Sequence, residues 1–246
     1  MSAKVIAVYS TKGGVGKTTA AVNLAWQAAS EGRSVLLWDL DPQAASTWLL
    51  RVKPRLRGGV DALVRGKQPA HKAIRESQVD RIDVLPADES YRDLELALGA
   101  EKKSETRLAA ALKPLQKAYD VIILDCPPGA SLVAENAVRA ADVVVLPLLP
   151  SALGLRSLEQ VREIIRGASR RVALVGFLNQ VDRRKRTHVA ATDRLPREDS
   201  QISDVYVPAT VVVERMGDAR APLGAYAPTS EPARAYAQLW HLIRRA

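Results

Sequence analysis

At 246 residues the chain is long enough to bury the core of an ordinary α/β domain, and its 47% hydrophobic content excludes a disordered chain. Thirty-six Lys and Arg against 27 Asp and Glu leave a formal net charge of +9, which favours polyanionic partners, either nucleic acid or an anionic membrane surface. The single cysteine, Cys126, excludes an internal disulfide framework and a four-cysteine metal site within one subunit, and no apolar run approaches the roughly 18 residues needed to span a bilayer.

Met1-Ser2-Ala3-Lys4 leads straight into an apolar run, Val5–Tyr9, with no leader pattern, so a cytoplasmic location is expected. Val5–Tyr9 reads as a first strand. Ser10-Thr11-Lys12-Gly13-Gly14-Val15-Gly16-Lys17-Thr18-Thr19 follows, opening a helix-length segment, Thr18–Glu31. Glycines let a backbone curl until successive N–H groups face one anion, and a helix N-terminus adds partial positive charge. Lys17 is then placed to reach the β- and γ-phosphates of a nucleotide, and the Thr18 hydroxyl to ligate Mg2+. Thr11 stands where the general phosphate-loop pattern has its first glycine, and Thr19 where a dinucleotide pattern has its last.

The run Lys12–Thr19 resembles the deviant Walker A motif of the ParA/MinD family of ATPases, which is marked by an extra lysine, here Lys12. The resemblance implies ATP as ligand, held by Lys12, Gly13, Gly14, Val15, Gly16, Lys17, Thr18 and Thr19. It also implies an ATP-dependent homodimer in which Lys12 reaches the phosphates on the partner subunit.

The second strand, Val35–Trp38, ends in Asp39-Leu40-Asp41-Pro42-Gln43. Alternation along an extended segment puts Asp39 and Asp41 on one side, where the phosphates should lie; helix capping is the other reading of such aspartates. The segment is similar to the family's Asp-x-Asp-Pro-Gln motif. That similarity implies that Asp41 orients the attacking water, joining Lys12 and Lys17 as a catalytic residue, and that Asp39 supports the Mg2+ shell. Arg51–Asp80 is basic with weak periodicity and is expected to be an irregular or helical insertion.

Further strands are expected at Ile82–Leu85, Val121–Leu124, Val143–Leu146 and Val172–Leu178, and a last at Thr210–Val213. Several are continuous runs of β-branched residues and leucine, the pattern of strands buried on both faces of a parallel sheet. Helices are expected at Glu105–Ala118, Leu132–Ala140 and Ser157–Gly167. The alternation implies a doubly wound α/β fold with its ligand at the carboxyl ends of the strands, in a single domain over residues 1–246. Val121-Ile122-Ile123-Leu124-Asp125 has the Walker B arrangement, an apolar strand ending in a Mg2+-binding carboxylate. The Pro127-Pro128-Gly129 that follows resembles the family's second switch segment. Asn179 matches the family's adenine-contacting asparagine. Thr210–Arg215 resembles its last strand and nucleotide-side loop, without the proline common after that strand.

Arg183–Ser203 is polar and Arg-rich, and reads as a long loop or short exposed helix. With the basic balance of the whole chain, Arg183, Arg184, Lys185, Arg186 and Arg215 are the expected contacts to nonspecific double-stranded DNA, in the half where ParA proteins bind it. The resemblance is closest to short ParA-type partition ATPases, because no helix-turn-helix precedes the phosphate loop. It implies a nucleoid-associated positioning ATPase stimulated by an adaptor protein. The alternative is a MinD-like, membrane-associated ATPase. Its sequence basis is the apolar stripe of the final segment from Glu231, which a helix docked on the sheet explains equally well. A reductase or metal-handling relative would need a second cysteine beside Cys126.

Overall fold

The computed structural model describes residues 2–56, 58–101 and 104–246; Met1, and Arg57 of the expected insertion, lie outside them. Eight strands form one sheet in the order β3-β4-β2-β5-β1-β6-β7-β8. They are β1 (Lys4–Val8), β2 (Val35–Asp39), β3 (Arg75–Glu76), β4 (Ile82–Leu85), β5 (Val121–Asp125), β6 (Val143–Leu148), β7 (Ala173–Val181) and β8 (Ile202–Pro208). All pairings are parallel except that of the two-residue edge strand β3 with β4.

Helices cover both faces. On one side lie α1 (Lys17–Ser30) and α2 (Ala45–Leu49). The opposite side carries α3 (Gly59–Val64), α4 (Leu94–Gly99), α5 (Arg107–Leu112), α6 (Leu132–Ala140), α7 (Ala152–Arg166) and α8 (Arg186–Glu198). Then α9 (Val211–Glu214), α10 (Met216–Ala219), α11 (Leu223–Tyr226) and α12 (Glu231–Ile243) return to the first side. Successive strand residues feed alternate cores. Val5, Ala7, Ile122 and Leu124 pack under α3–α8, while Ile6, Val8, Val121 and Ile123 pack under α1 and α12. With no face left to solvent, the central strands read as unbroken apolar runs. β6 continues through Pro147 because beyond Val145 it pairs only with β7, and the missing N–H falls where β1 has ended.

Several boundaries differ from those expected. The segment 210–213 is a helix, not a strand: the Thr210 hydroxyl accepts from Val213 N and starts α9. The last strand is instead β8, whose register with β7 is broken by bulges. Its mixed burial, with Asp204 exposed in its middle, is what an edge strand allows. The polar segment expected after residue 183 carries a 13-residue helix, α8, anchored by buried Ala191 and Leu195. α7 begins five residues earlier than Ser157, because Ser151 caps it at Gly154 N. The apolar face of α12 is spent inside the core, where Tyr236, Leu239 and Ile243 are fully buried. None of the described helices is long and apolar enough to cross a membrane.

Candidate nucleotide site

Strand register assembles the site. Val8 lies level with Asp125 across β1–β5, and Asp125 level with Asp39 across β5–β2. The carboxyl ends of the three central strands therefore meet beside the loop that leaves β1. This is where a doubly wound sheet binds its ligand.

The loop from Thr11 to Gly16 turns at Gly14 and Gly16, whose φ values are 71° and 90°. A Cβ on Gly16 would also lie 2.3 Å from the Asn179 amide nitrogen, so glycine is needed there for shape and for contact. The first α1 amide to bond back into the chain is that of Ala20, on Gly16 O at 3.0 Å. The amides of the turn before it are left to a ligand. Neighbours fix the loop from outside. Asn179 Nδ2 donates to Val15 O and Gln180 Nε2 to Gly14 O, each at 2.6 Å. Tyr9 Oη donates to Gly129 O at 3.0 Å, and Gly129 N to Thr11 O at 3.1 Å. The expected switch segment is thus stitched directly to the loop. The Thr11 hydroxyl bonds Ser157 and Gln160 of α7 at 2.9 and 2.8 Å, giving the residue that replaces the usual first glycine a structural task.

Lys17 is 7% exposed, and its ammonium donates to the Lys12 carbonyl at 3.0 Å. Burial lowers its pKa, an effect opposed mainly by the negative charge of Asp125. Asp125 is buried, and neither carboxylate oxygen has a hydrogen-bond partner among the described residues. Burial first, and then the charge of Asp39, push its pKa up to about 8; the hydroxyls of Thr18 and Ser46 lie close enough to moderate that rise. A buried, unpaired carboxyl beside a threonine hydroxyl is the oxygen donor set of a hard divalent cation, so the residues present fit Mg2+. No group of three or more His, Cys, Asp or Glu capable of holding a metal occurs among the described residues. Mg2+ itself favours few protein ligands, completed by phosphate and water.

Asp39, expected to support the metal shell, is otherwise occupied. Its Oδ2 accepts from the Thr47 amide and hydroxyl at 2.9 and 2.7 Å, and its Oδ1 from Asp41 N at 3.2 Å. Burial raises its pKa and the Thr47 bonds hold it down. It caps α2 and shapes the turn that presents Asp41, whose own carboxylate is half-buried and accepts from Gln43 N.

Beside the loop opens a cavity of about 540 Å3. Thr18 and Thr19 border it on one side, Trp48 and Leu49 on another, and Asn179, Pro208, Thr210 and Met216 close it. Pro208 ends β8, so a proline does close the last strand, on the cavity side. Sequence reasoning also missed Asn23. Its Nδ2 donates to Thr19 O and its Oδ1 accepts from Leu223 N at 2.8 Å, tying α1 to the start of α11. A buried asparagine on the apolar face of α1 was the signal for it.

Four of the expected DNA contacts, Arg183 to Arg186, lie together between β7 and the start of α8, and two of them are engaged within the chain. Arg183 pairs with Glu231, donates to Tyr206 Oη and stacks on its ring at 5.7 Å. Arg184 makes a two-pronged pair with Asp182 at 2.9 and 3.0 Å, whose bonds hold that carboxyl down at about 2. Lys185 and Arg186 begin α8, exposed and without an ion-pair partner among the described residues. Arg215 lies on a separate element, at the junction of α9 and α10.

A family model described as an AAA domain matches residues 3–174. The chain is 31% identical over 245 residues to the chromosome partitioning protein ParA of Caulobacter vibrioides, covering 96% of this chain and 92% of that one. It is 36% identical over 163 residues to the protein of the same name in Myxococcus xanthus; that match takes in 66% of this chain and 58% of the relative. Among solved structures it is similar to the septum site-determining protein MinD complexed with Mg-ADP from Pyrococcus horikoshii. That likeness has a TM-score of 0.79 and 25% identity, over 98% of this chain and 96% of that one.

Proposed function

The chain belongs to the ParA/MinD family of ATPases, and we propose that it is a Mg-ATP-driven switch that dimerises on ATP, binds DNA without sequence preference and positions a cargo. The observation that carries the nucleotide chemistry is the buried, partnerless Asp125 facing Lys17 and Thr18 beneath the glycine loop.

ATP lies with its triphosphate along the loop amides and its nucleoside in the adjoining cavity, against Asn179. Lys17 leaves the Lys12 carbonyl for the β- and γ-phosphates, exchanging a neutral acceptor for charged ones. Thr18 and Asp125 would hold Mg2+, which would supply positive charge against the charge developing on the phosphates. Asp41, held by the turn that Asp39 anchors, orients the attacking water and accepts its proton. Lys12 extends to the nucleotide of a second copy, so that each site is complete only in the dimer. Gly129, bonded to both Tyr9 and Thr11, relays the state of the loop to the segment after β5. One domain over residues 1–246 carries all of this, and an adaptor protein accelerates turnover.

The DNA reading is supported by the net charge of +9 and by Lys185 and Arg186 standing exposed at the start of α8. Burial of the apolar face of α12 removes the stripe that a membrane anchor would use. Co-sedimentation with duplex DNA and flotation with anionic liposomes, each with ATP, ADP or no nucleotide, tests the choice. ATP-dependent DNA binding and no flotation is expected. A chain that ignores DNA at low salt but floats in ATP is a membrane ATPase instead.

A further inference from the structure

Of the four tryptophans, Trp38 and Trp240 are buried and Trp26 is half-buried, whereas Trp48 is 48% exposed and lines the cavity beside the phosphate loop. A half-exposed indole that lines a cavity offers its ring to whatever fills that cavity. Its placement is fixed by two arginines. The Arg220 guanidinium covers the ring at 4.6 Å from its centroid and donates from Nε and an Nη to the Trp48 carbonyl at 3.0 and 2.7 Å. Arg51 donates in return to the Arg220 and Ala219 carbonyls, at 3.3 and 3.0 Å. Both arginines follow a helix end in the left-handed region, with φ of 58° and 45°, and their carbonyl bonds tie the ends of α2 and α10 together. Arg220 backs the ring but does not border the cavity; Trp48 does.

We propose that Trp48 is the stacking wall for the nucleobase, its indole pre-set by the Arg220 clasp so that a purine slides between it and the apolar side formed by Pro208, Val213 and Met216. The polar end of the same cavity, at Gly16, Thr18 and Thr19, takes the phosphates, which leaves the apolar end for the base. The cation behind the ring keeps the indole plane in place, so little order has to be gained on binding. This rests on the loop being a triphosphate site.

Calorimetric titration of the full chain with Mg-ATP, and competition by inorganic tripolyphosphate, which has the charge but no base, separates the two claims. Trp48→Ala is expected to weaken ATP roughly ten- to hundredfold, from the usual worth of base–aromatic stacking, with tripolyphosphate unchanged. Trp48→Phe should keep most of the ATP affinity, yet lose the quenching of tryptophan emission that ATP causes in the parent. If Trp48→Ala binds ATP like the parent, or loses ATP and tripolyphosphate in equal measure, the base does not stack there. If the parent binds neither compound, the triphosphate reading itself fails, and this inference with it.

Discussion

Replacing Asp125 with asparagine separates the cost of a partnerless buried charge from the metal site that the charge serves. Its pKa rises from the usual 3.8 to about 8, and at about 1.4 kcal/mol per unit that is roughly 6 kcal/mol against the charged form. Asparagine removes the charge but leaves an amide equally short of partners. A net stabilisation of about 2 kcal/mol is therefore expected for the nucleotide-free protein near pH 8. The pH dependence follows from proton counting. Between about pH 4 and 8 the folded chain keeps a proton on Asp125 that the unfolded chain has lost, so parental stability falls as pH rises through that window. The variant lacks this slope, so its advantage is lost within that window and the parent is the more stable towards about pH 4. Urea unfolding across pH, with and without Mg-ATP, reads both effects. Saturating Mg-ATP should stabilise the parent and barely move the variant, reversing their order. A nucleotide-free variant less stable than the parent at pH 8, or equal gains from Mg-ATP, would refute the assignment of Asp125.

Lys17→Ala should weaken labelled ATP by on the order of a hundredfold, because the triphosphate loses its charge-assisted donor; undiminished binding removes the phosphate-loop reading. DNA affinity should fall steeply with salt, with a log–log slope of roughly −4 to −7 for about four to eight phosphate contacts per dimer. Because Arg183 is engaged by Glu231 and Tyr206, and Arg184 by Asp182, reversing Lys185 and Arg186 to Glu should cost more DNA affinity than reversing Arg183 alone. Electrophoretic titration of both variants checks this, and the opposite ranking would move the DNA surface elsewhere.

The central strands and the phosphate loop were legible in the sequence for a physical reason. β1, β2, β5 and β6 are buried on both faces and so read as unbroken apolar runs, and a loop that curls its amides inward needs glycine at Gly14 and Gly16. The edge was not legible. β8 carries Ser203 and Asp204 and owes its place to pairing with β7, while Val211–Val213, apolar enough for a strand, is turned into a helix by the Thr210 cap. That one misplacement also hid Pro208. Roles set by distant partners were equally invisible. Nothing near Asp39 in sequence shows that the Thr47 amide and hydroxyl occupy it, and nothing in the 183–186 run shows that Glu231 neutralises Arg183. Nothing around Trp48 in the sequence shows that it lines the cavity or that Arg220 stacks on its ring.

The ATP switch at the centre of this account is tested most directly by sedimentation velocity of the Asp41→Ala variant with Mg-ATP, Mg-ADP or no nucleotide. With Asp41 proposed to orient water rather than to hold ATP, the variant should trap the nucleotide unhydrolysed. It should then sediment as a dimer in Mg-ATP alone and as a monomer in the other two conditions. A variant that stays monomeric at saturating Mg-ATP, or that turns ATP over at the parental rate, would contradict it.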